Sequence, residues 1–328
     1  MDAIAGLLDG PRARQAFLLR ASMDPPWSIR VVDEAPLTVV AVVRGEAWMA
    51  PDGGEARLLR AGDVAVARGP DHYRVADALQ TPETIVIHPG GHCRSLDGAE
   101  LMESMRLGIR SWGNAADGAM VMLVGTYQLE GEVSARLLRA LPPLLTLRSD
   151  EWDCPVIPLL ADEMVKDEPG QEAVLDRLLD LLLIAALRAW LARPDAGAPE
   201  WYRAASDPVV GHALRLLHAE PAAPWTVSSL AERTGVSRST LAKRFADLVG
   251  EPPLAYLTRW RMTLAADLLV ERADATVAEV ARAVGYSEPF GFSAAFKRVR
   301  GANPSEFRRT ATATVDAQSH SATALKLG

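Results

Sequence analysis

The sequence is short of several features that define whole classes of protein. Its 328 residues include only two cysteines, Cys93 and Cys154, and neither belongs to a CxxC pair. Two cysteines are too few for a disulfide scaffold or a four-cysteine zinc site. The longest apolar candidate, Leu178 to Leu191, is interrupted by charged residues and falls short of the roughly 18 residues of a membrane helix. The first twenty residues lack an export pattern, so we expect a cytoplasmic protein without a membrane partner.

Catalytic signatures are also missing. The chain contains no phosphate-binding glycine loop, no GxSxG and no HExxH, which are the motifs that indicate nucleotide, hydrolase or metalloprotease chemistry. We therefore expect no enzyme activity, no cofactor and no bound metal.

The composition is that of a folded protein with an uneven charge. Hydrophobic residues make up 49% and charged residues 23% of the chain, and its length favours two domains. The net charge is −7, yet residues 208–310 hold 14 lysines and arginines against 10 acidic residues. A basic C-terminal third on an acidic chain is typical of a nucleic-acid-binding domain joined to an acidic partner domain.

The hydrophobic pattern changes along the chain. Residues 29–89 read as short strands separated by turns, which predicts a β-sandwich or barrel. From about Gly131 the period becomes helical, with helices predicted over 156–165 and 171–192. Residues 194–208 are rich in Pro, Ala and Gly and read as a linker, and residues 310–328 are expected to be disordered.

An internal repeat lies in the C-terminal third. The run TVSSLAERTGVS at 226–237 matches TVAEVARAVGYS at 276–287, and the match resumes after one inserted residue. Each copy predicts a helix, a tight turn and a second helix: Thr226 or Thr276 caps the first helix, Gly235 or Gly285 makes the turn, and Ser237 or Ser287 caps the second. Such a helix-turn-helix places its second helix in the DNA major groove.

Leu254 to Val270 joins the two copies as one long predicted helix. At about 1.5 Å per residue it is ~26 Å long, which suits two recognition helices spaced by about 34 Å, one turn of DNA. One chain is therefore expected to read two successive major grooves.

These residues resemble the AraC/XylS family of bacterial transcription regulators over 208–309. The resemblance implies an α+β two-domain protein: a cupin-like β-barrel with a helical extension at residues 1–200, and an all-α domain of two helix-turn-helix subdomains with a linker helix. It also implies promoter DNA, a small-molecule effector and RNA polymerase as partners, usually in activation, with helix 171–192 as a possible homodimer surface or a cover for the cupin core. The motif residues are Ser237, Leu241, Lys243, Phe245, Gly250, Pro253, Tyr256, Arg261, Ala265, Leu268, Leu269, Val280, Ala281, Gly285, Tyr286, Phe292, Phe296, Lys297, Gly301, Pro304 and Arg308.

The two predicted recognition helices differ in chemistry. Lys243 stands where the family often has Arg, and Ala294 occupies the corresponding place in the second copy. We therefore expect base reading by the first copy and phosphate contacts by the second. The predicted DNA-binding residues are Ser237, Arg238, Ser239, Thr240, Lys243 and Arg244, then Phe290, Ser293, Lys297, Arg298 and Arg300.

The N-terminal region offers a possible sensor. Gly62 to Val66 followed by His72 resembles half of a cupin metal signature, but the preceding strand supplies Glu46 and no histidine. A metal-free ligand pocket lined by Trp48, His72 and Tyr73 is therefore preferred over a cupin metalloenzyme, and ordinary core packing stays open for these three residues.

A second candidate in this region is the segment IHPGGHC. His92 and Cys93 are candidates for metal or redox sensing, because His92 and Arg94 flank Cys93 and cationic neighbours favour a thiolate. His88 and His72 are further possible metal ligands, although the spacing matches no standard zinc pattern.

Overall fold

The computed structural model describes residues 17–127, 138–193, 200–272 and 274–310. These residues form two compact units: an N-terminal unit of residues 17–127 and 138–193, and a C-terminal unit of residues 200–272 and 274–310. Part of the predicted linker, 194–199, and the predicted tail from 311 onward lie outside the described residues. Within the described ranges, no helix combines the length and the apolar character needed to cross a membrane.

The N-terminal unit is built from short strands followed by two helices. The strands are β1 Phe17–Met23, β2 Ser28–Val31, β3 Leu37–Arg44, β4 Glu46–Pro51, β5 Arg57–Arg60, β6 Val64–Arg68, β7 Tyr73–Ala76, β8 Ile85–Ile87, β9 Cys93–Ser95, β10 Arg106–Gly108, β11 Ser111–Gly113, β12 Met120–Tyr127 and β13 Leu144–Leu147. The helices with described bounds are α1 Val156–Met164 and α2 Gln171–Leu191, and residues 138–140 are also helical. A single 3₁₀ turn, Pro89–Gly91, separates β8 from β9.

These strands form two mixed sheets. One has seven strands in the order β10-β11-β1-β12-β3-β6-β13, and the other has six in the order β5-β4-β7-β2-β8-β9. Pairing is antiparallel except for β1 with β11 and β2 with β8. The cupin-like unit is thus present, but its strands make two open sheets instead of one closed barrel.

A single hydrophobic core lies between the sheets. Residues at every second position point into it, such as Val40 and Val42 on β3 of the larger sheet and Val75 on β7 of the smaller one. This alternation is the period of a β-strand with one face toward the core.

Three strand regions fall outside the stretch predicted as β. They are β1, the group β9 to β12, and β13, which lies inside the region predicted as helical. The central part of β12 is buried on both faces: Met122 faces the core between the sheets, while a Cβ at Gly125 would meet the Leu179 side chain of α2 at 2.5 Å. A strand that is covered on both faces has apolar residues on both, so its sequence is a continuous apolar run. The alternation of apolar and polar residues that predicts a strand is therefore absent from it.

The predicted helices of this unit agree with α1 and α2, and the buried face of α2 explains its wide apolar stripe. Leu175, Leu179, Leu183 and Leu187 are buried, and Leu179 meets the outer side of β12 at Gly125. The expectation that this helix covers the cupin core is therefore met on that face. On its opposite side Val174 and Leu181 are 44% and 49% exposed.

The C-terminal unit is helical. Its helices are α3 Glu200–Ala205, α4 Val210–Ala219, α5 Val227–Thr234, α6 Arg238–Val249, α7 Pro253–Glu271, α8 Val277–Ala283 and α9 Pro289–Arg300, and residues 304–310 are also helical. Helix α3 falls inside the segment predicted as a linker, since its six residues are too few to show a helical period.

Capping residues start three of the four repeat helices as predicted. Thr226 and Thr276 each form a capping box with the residue three positions on, and Ser237 accepts a hydrogen bond from the Thr240 N–H. The prediction for Ser287 is wrong: Glu288 is the N-cap of α9, because Pro289 takes the first helical position, which suits its fixed φ and missing N–H.

A buried polar cluster joins α4 to α7. His218 Nε2 lies 2.6 Å from Tyr256 Oη, and the imidazole stacks on Trp260 with 4.6 Å between ring centroids. His218 is 7% exposed and Tyr256 is 1% exposed. Because a buried polar group needs a partner, this pair connects the helix that precedes the first repeat to the helix that follows it.

Replacing Tyr256 with Phe is expected to lower the free energy of unfolding of the C-terminal unit by about 1–3 kcal/mol, because a buried imidazole nitrogen loses a hydrogen-bond partner. Chemical denaturation of the full chain measures this change. Tyr286→Phe removes the same atom from a half-buried ring and is expected to change stability by less than about 0.5 kcal/mol. Equal losses in the two variants would contradict a special role for the His218 contact.

Candidate nucleic-acid interface and ligand cavity

The first recognition helix is α6, and it presents a polar face to solvent. Leu241, Phe245 and Val249 are buried and hold the helix on its core, while the residues between them face outward. Arg238 Nη1 lies 3.5 Å from Ser228 Oγ of α5. The exposed residues predicted to contact DNA on this helix and its cap are Ser237, Arg238, Ser239, Thr240, Lys243 and Arg244.

Arg244 has a structural contact that the sequence did not indicate. Its guanidinium donates to Asp207 Oδ2 from Nε at 2.9 Å and from Nη2 at 2.5 Å. The same carboxylate, through Oδ1, accepts from the backbone N–H groups of Val209 and Val210. Arg244 therefore connects the recognition helix to the segment before α4, and this contact competes with a role at phosphate.

The second recognition helix is α9, and its exposed face is apolar at the start and basic at the end. Phe290 is 87% exposed, and Gly291 and Ala294 beside it are also exposed. Ser293 and Arg300 are half-buried, whereas Lys297 and Arg298 are exposed in the last turn. The base-facing part of α9 thus offers few hydrogen-bond donors, as its sequence predicts.

Arg261 of α7 connects the two helix-turn-helix subdomains. Its Nε donates to the Pro221 carbonyl at 2.7 Å and its Nη2 to the Ala223 carbonyl at 2.8 Å. The guanidinium carbon lies 5.6 Å from the centroid of the Tyr286 ring in the turn of the second subdomain. A Cβ at Gly285, where φ is +83°, would meet the Ala222 carbonyl oxygen at 2.5 Å. The loop before α5 therefore packs directly against the turn between α8 and α9.

The N-terminal unit contains a cavity of about 240 Å³ between its two sheets. Aliphatic side chains from both sheets form most of its wall, and Phe17, Tyr73 and Trp112 contribute aromatic rings. The Gly90 and Gly91 backbone of the 3₁₀ turn also borders it.

One of the three predicted lining residues borders this cavity. Tyr73 does, whereas Trp48 and His72 are not among its described lining residues. On β4 the core residues are Ala47 and Met49, so Trp48 between them points to the other face. His72 directly precedes Tyr73, and successive side chains along an extended chain point to opposite faces. His72 therefore points away from the face that Tyr73 presents to the cavity.

Two polar lining residues escaped the sequence interpretation. Asp33 lies two residues after Val31 and four after Ile29, so strand alternation could have predicted that it faces the cavity. Nothing in the sequence indicates that Thr126 lines the cavity. Asp33 Oδ1 accepts from the Ala35 N–H at 3.1 Å. Burial raises the pKa of the Asp33 carboxyl, against the opposing effects of that hydrogen bond and of His72.

Cys93 lines the cavity but does not have the properties expected of a redox sensor. It is 2% exposed, and burial followed by the charge of Glu100 raises the pKa of its thiol to about 12. Arg94, expected to favour a thiolate, is paired with Glu100 at 2.7 Å. Burial and the Glu100 charge thus oppose the thiolate that the flanking residues were expected to favour, since reactive thiols have a lowered pKa.

The metal hypothesis for this segment gains no support. Among the described residues, no group of three or more His, Cys, Asp or Glu side chains is placed to hold a metal ion. His88, His92 and Cys93 are adjacent in sequence but do not form such a group. Cys154 is buried as well, and burial raises the pKa of its thiol.

Comparison with known families identifies both units. A model described as cupin matches residues 2–192, and one described as helix-turn-helix domain matches residues 230–310. A Streptomyces lividans protein described as an AraC-like transcription regulator is 32% identical over 321 residues, which cover 95% of this chain and 99% of the relative. The transcriptional regulator AlkR of Acinetobacter baylyi is 27% identical and covers 94% and 99% of the two chains.

Two solved structures are similar to parts or most of the chain. The DNA-binding domain of AdpA, solved with a target DNA, is 31% identical with a TM-score of 0.32, covering 33% of this chain and 96% of that domain. ToxT of Vibrio cholerae, solved with an unsaturated fatty acid, is 13% identical with a TM-score of 0.33 and covers 89% and 94% of the two chains.

Replacing Arg261 with Ala removes two hydrogen bonds from a charged donor, each worth about 1.5–3 kcal/mol, so we expect a clear loss of stability in the C-terminal unit. We also expect a larger loss of affinity for DNA with two half-sites than for one half-site, because the subdomains lose their mutual orientation. Arg259→Ala on the same helix, whose partner is Glu251, is the matched control and should cost at most about 1 kcal/mol. Parallel denaturation and DNA titration measure both effects, and identical behaviour of the two variants would contradict the connecting role.

Proposed function

The chain belongs to the AraC-like family of transcription regulators, and on that premise we propose that its N-terminal unit senses a small molecule and controls DNA binding by its C-terminal unit. The observation that carries the proposal is the pairing of a largely apolar cavity in the first unit with two exposed recognition helices in the second. The regulator binds DNA through its helix-turn-helix domain. The identity of the signal depends on the chemistry of the cavity.

We extend the proposal to the domain plan and partners. Residues 1–200 would form the sensor with its helical extension, and residues 208–309 the DNA-binding domain. We propose that the protein acts in the cytoplasm as an activator that contacts RNA polymerase, without enzymatic activity. A homodimer formed through the exposed side of α2, where Val174 and Leu181 face outward, would place two such domains on one promoter.

The chemistry of the recognition helices supports a division of labour on DNA. Lys243 and Thr240 of α6 are exposed donors, of the kind that hydrogen-bonds base edges in the major groove. Phe290 of α9 offers apolar contact with a thymine methyl, and Lys297 and Arg298 lie a turn or more further along. We propose that the first subdomain reads sequence and the second binds mainly phosphates.

Replacing Lys243 with Ala is expected to flatten base preference at one or two positions of the first half-site, by about 1–3 kcal/mol at each. Lys297→Ala should weaken binding to all sequences equally and reduce the slope of log affinity against log salt by about one. Randomised-site selection followed by salt titration measures both. Equally strong base preference in the two half-sites would contradict this division.

The DNA-binding function is tested on residues 201–310 expressed alone. This segment holds two hydrophobic cores, one around Leu214 and Phe245 and one around Val280 and Phe296, so we expect it to fold and to footprint a single asymmetric site. The full chain is the positive control, and a charge-reduced Lys243→Ala, Arg238→Ala variant of the segment is the negative control. Failure of the segment at low salt, where the full chain binds, would contradict an independent DNA-binding domain.

A further inference from the structure

The charged and polar side chains that line the cavity of the N-terminal unit restrict the class of ligand that can fill it. Among the described residues that line it, Asp33 is the one charged side chain, and Tyr73, Thr126 and Cys93 are the polar ones that accompany it. The rest of the described wall is aliphatic or aromatic apart from the backbone of Gly90 and Gly91. A ligand that fills this space must therefore be largely apolar and meet one carboxyl group.

We propose that the cavity binds a small apolar molecule with one cationic amine, whose ammonium group pairs with Asp33. The inference rests on the proposed sensor function and names the ligand class of that same site. Its chemical basis is charge complementarity in a largely apolar cavity, where an unpaired charge is costly and a paired one is stabilised.

The aromatic rings of the wall favour the same ligand. Phe17, Tyr73 and Trp112 all border the cavity, and the face of an aromatic ring attracts a cation within about 6 Å of its centroid. An ammonium group beside Asp33 would have a carboxylate partner in a cavity whose wall carries three aromatic rings, of which Tyr73 is close enough to feel the charge of Asp33. An alcohol of the same shape keeps only the hydrogen bond, and a carboxylate of the same shape would meet a like charge.

The state of Asp33 without ligand supports this preference. Burial raises the pKa of its carboxyl, while the Ala35 N–H and His72 act in the opposite direction and Glu34 adds to the rise. The neighbours of the Asp33 carboxylate thus offset only part of the free-energy cost of burying its charge. An ammonium ion supplies the compensation that the apolar wall lacks.

A second cleft next to the cavity contains arginines, and these already have partners. Arg110 donates to Gln171 Oε1 at 2.8 Å, and Arg106 lies 3.6 Å from Glu103. The cleft shares Phe17 and Trp112 with the cavity. A ligand with an anionic head group in this cleft and an apolar tail in the cavity is the alternative that carboxylate probes test.

The test uses two probe series of matched shape on the full-length chain. One series is phenylpropylamine, phenylpropanol and phenylpropanoate; the other is octylamine, octanol and octanoate. Isothermal titration calorimetry is expected to show each amine binding about tenfold or more tighter than its alcohol, because the ammonium makes a charge-assisted contact that the alcohol cannot make, with the carboxylates weakest.

Two variants show whether Asp33 is the cause. Asp33→Asn keeps an oxygen to accept from the Ala35 N–H and should make amine and alcohol bind equally, with the alcohol affinity unchanged. Glu34→Gln removes the same charge from the exposed neighbouring residue and should keep the full preference for amines. Unchanged alcohol affinity in Asp33→Asn also shows that this variant folds.

Several outcomes would overturn the ligand class: alcohols binding as tightly as amines, carboxylates binding tightest, a preference that survives Asp33→Asn, or no binding by any of the six probes. DNA affinity is measured on the same samples, with and without the amine. An amine that binds through Asp33 without changing DNA affinity confirms the ligand class and contradicts the sensor function. A chain whose DNA binding is intact but which prefers another probe contradicts the ligand class alone.

Discussion

The long helix α7 is the element on which the DNA-binding half depends. Tyr256, Leu257 and Trp260 on its first half are buried in the core of the first subdomain, and Met262, Ala265, Ala266 and Leu269 on its second half are buried in the core of the second. One continuous helix therefore enters both cores, and packed cores do not deform gradually. Arg261 lies between the two sets and binds the loop of one subdomain beside the turn of the other. The separation and relative rotation of the recognition helices follow from these contacts, which is what reading two grooves of DNA requires.

The proposed sensor function places the opposite demand on the N-terminal unit, because a bound ligand needs part of the core to be unfilled. Its two sheets share one hydrophobic cluster, yet a cavity remains beside Tyr73, Trp112 and Asp33. Helix α2 covers the outer side of β12, where only Gly125 leaves room for Leu179. Covering the sheet from outside buries further apolar area, and the burial of apolar area is the main source of stability. A ligand that fills the cavity would add contacts that the free protein lacks.

Local signals in the sequence predicted local structure well. The repeat identified both helix-turn-helix subdomains, and the capping residues Thr226, Ser237 and Thr276 start the helices they were expected to start. The exception, Ser287, shows the limit of a pattern, because Pro289 shifts the start of α9 by one residue. Strand prediction failed where burial removes alternation, as in β12, and where an element is too short to show a period, as in α3. In the cavity, alternation alone separates Tyr73, which faces inward, from His72, which does not.

The amino-acid sequence by itself determined the family, the two-part organisation and the asymmetry between the recognition helices, because each depends on residue types at fixed spacing along one segment. Only the tertiary structure decided which side chains are available. Arg244 is a cation on a recognition helix, but Asp207, far away along the chain, holds it. Cys93 is flanked by His92 and Arg94, but burial and the charge of Glu100 raise the pKa of its thiol. Asp33 is an ordinary acidic residue until the fold places it in the wall of the cavity between the two sheets. In each case the property of the side chain depends on a residue elsewhere in the chain or on the exclusion of water. The adjacent residues in the sequence determine neither of these.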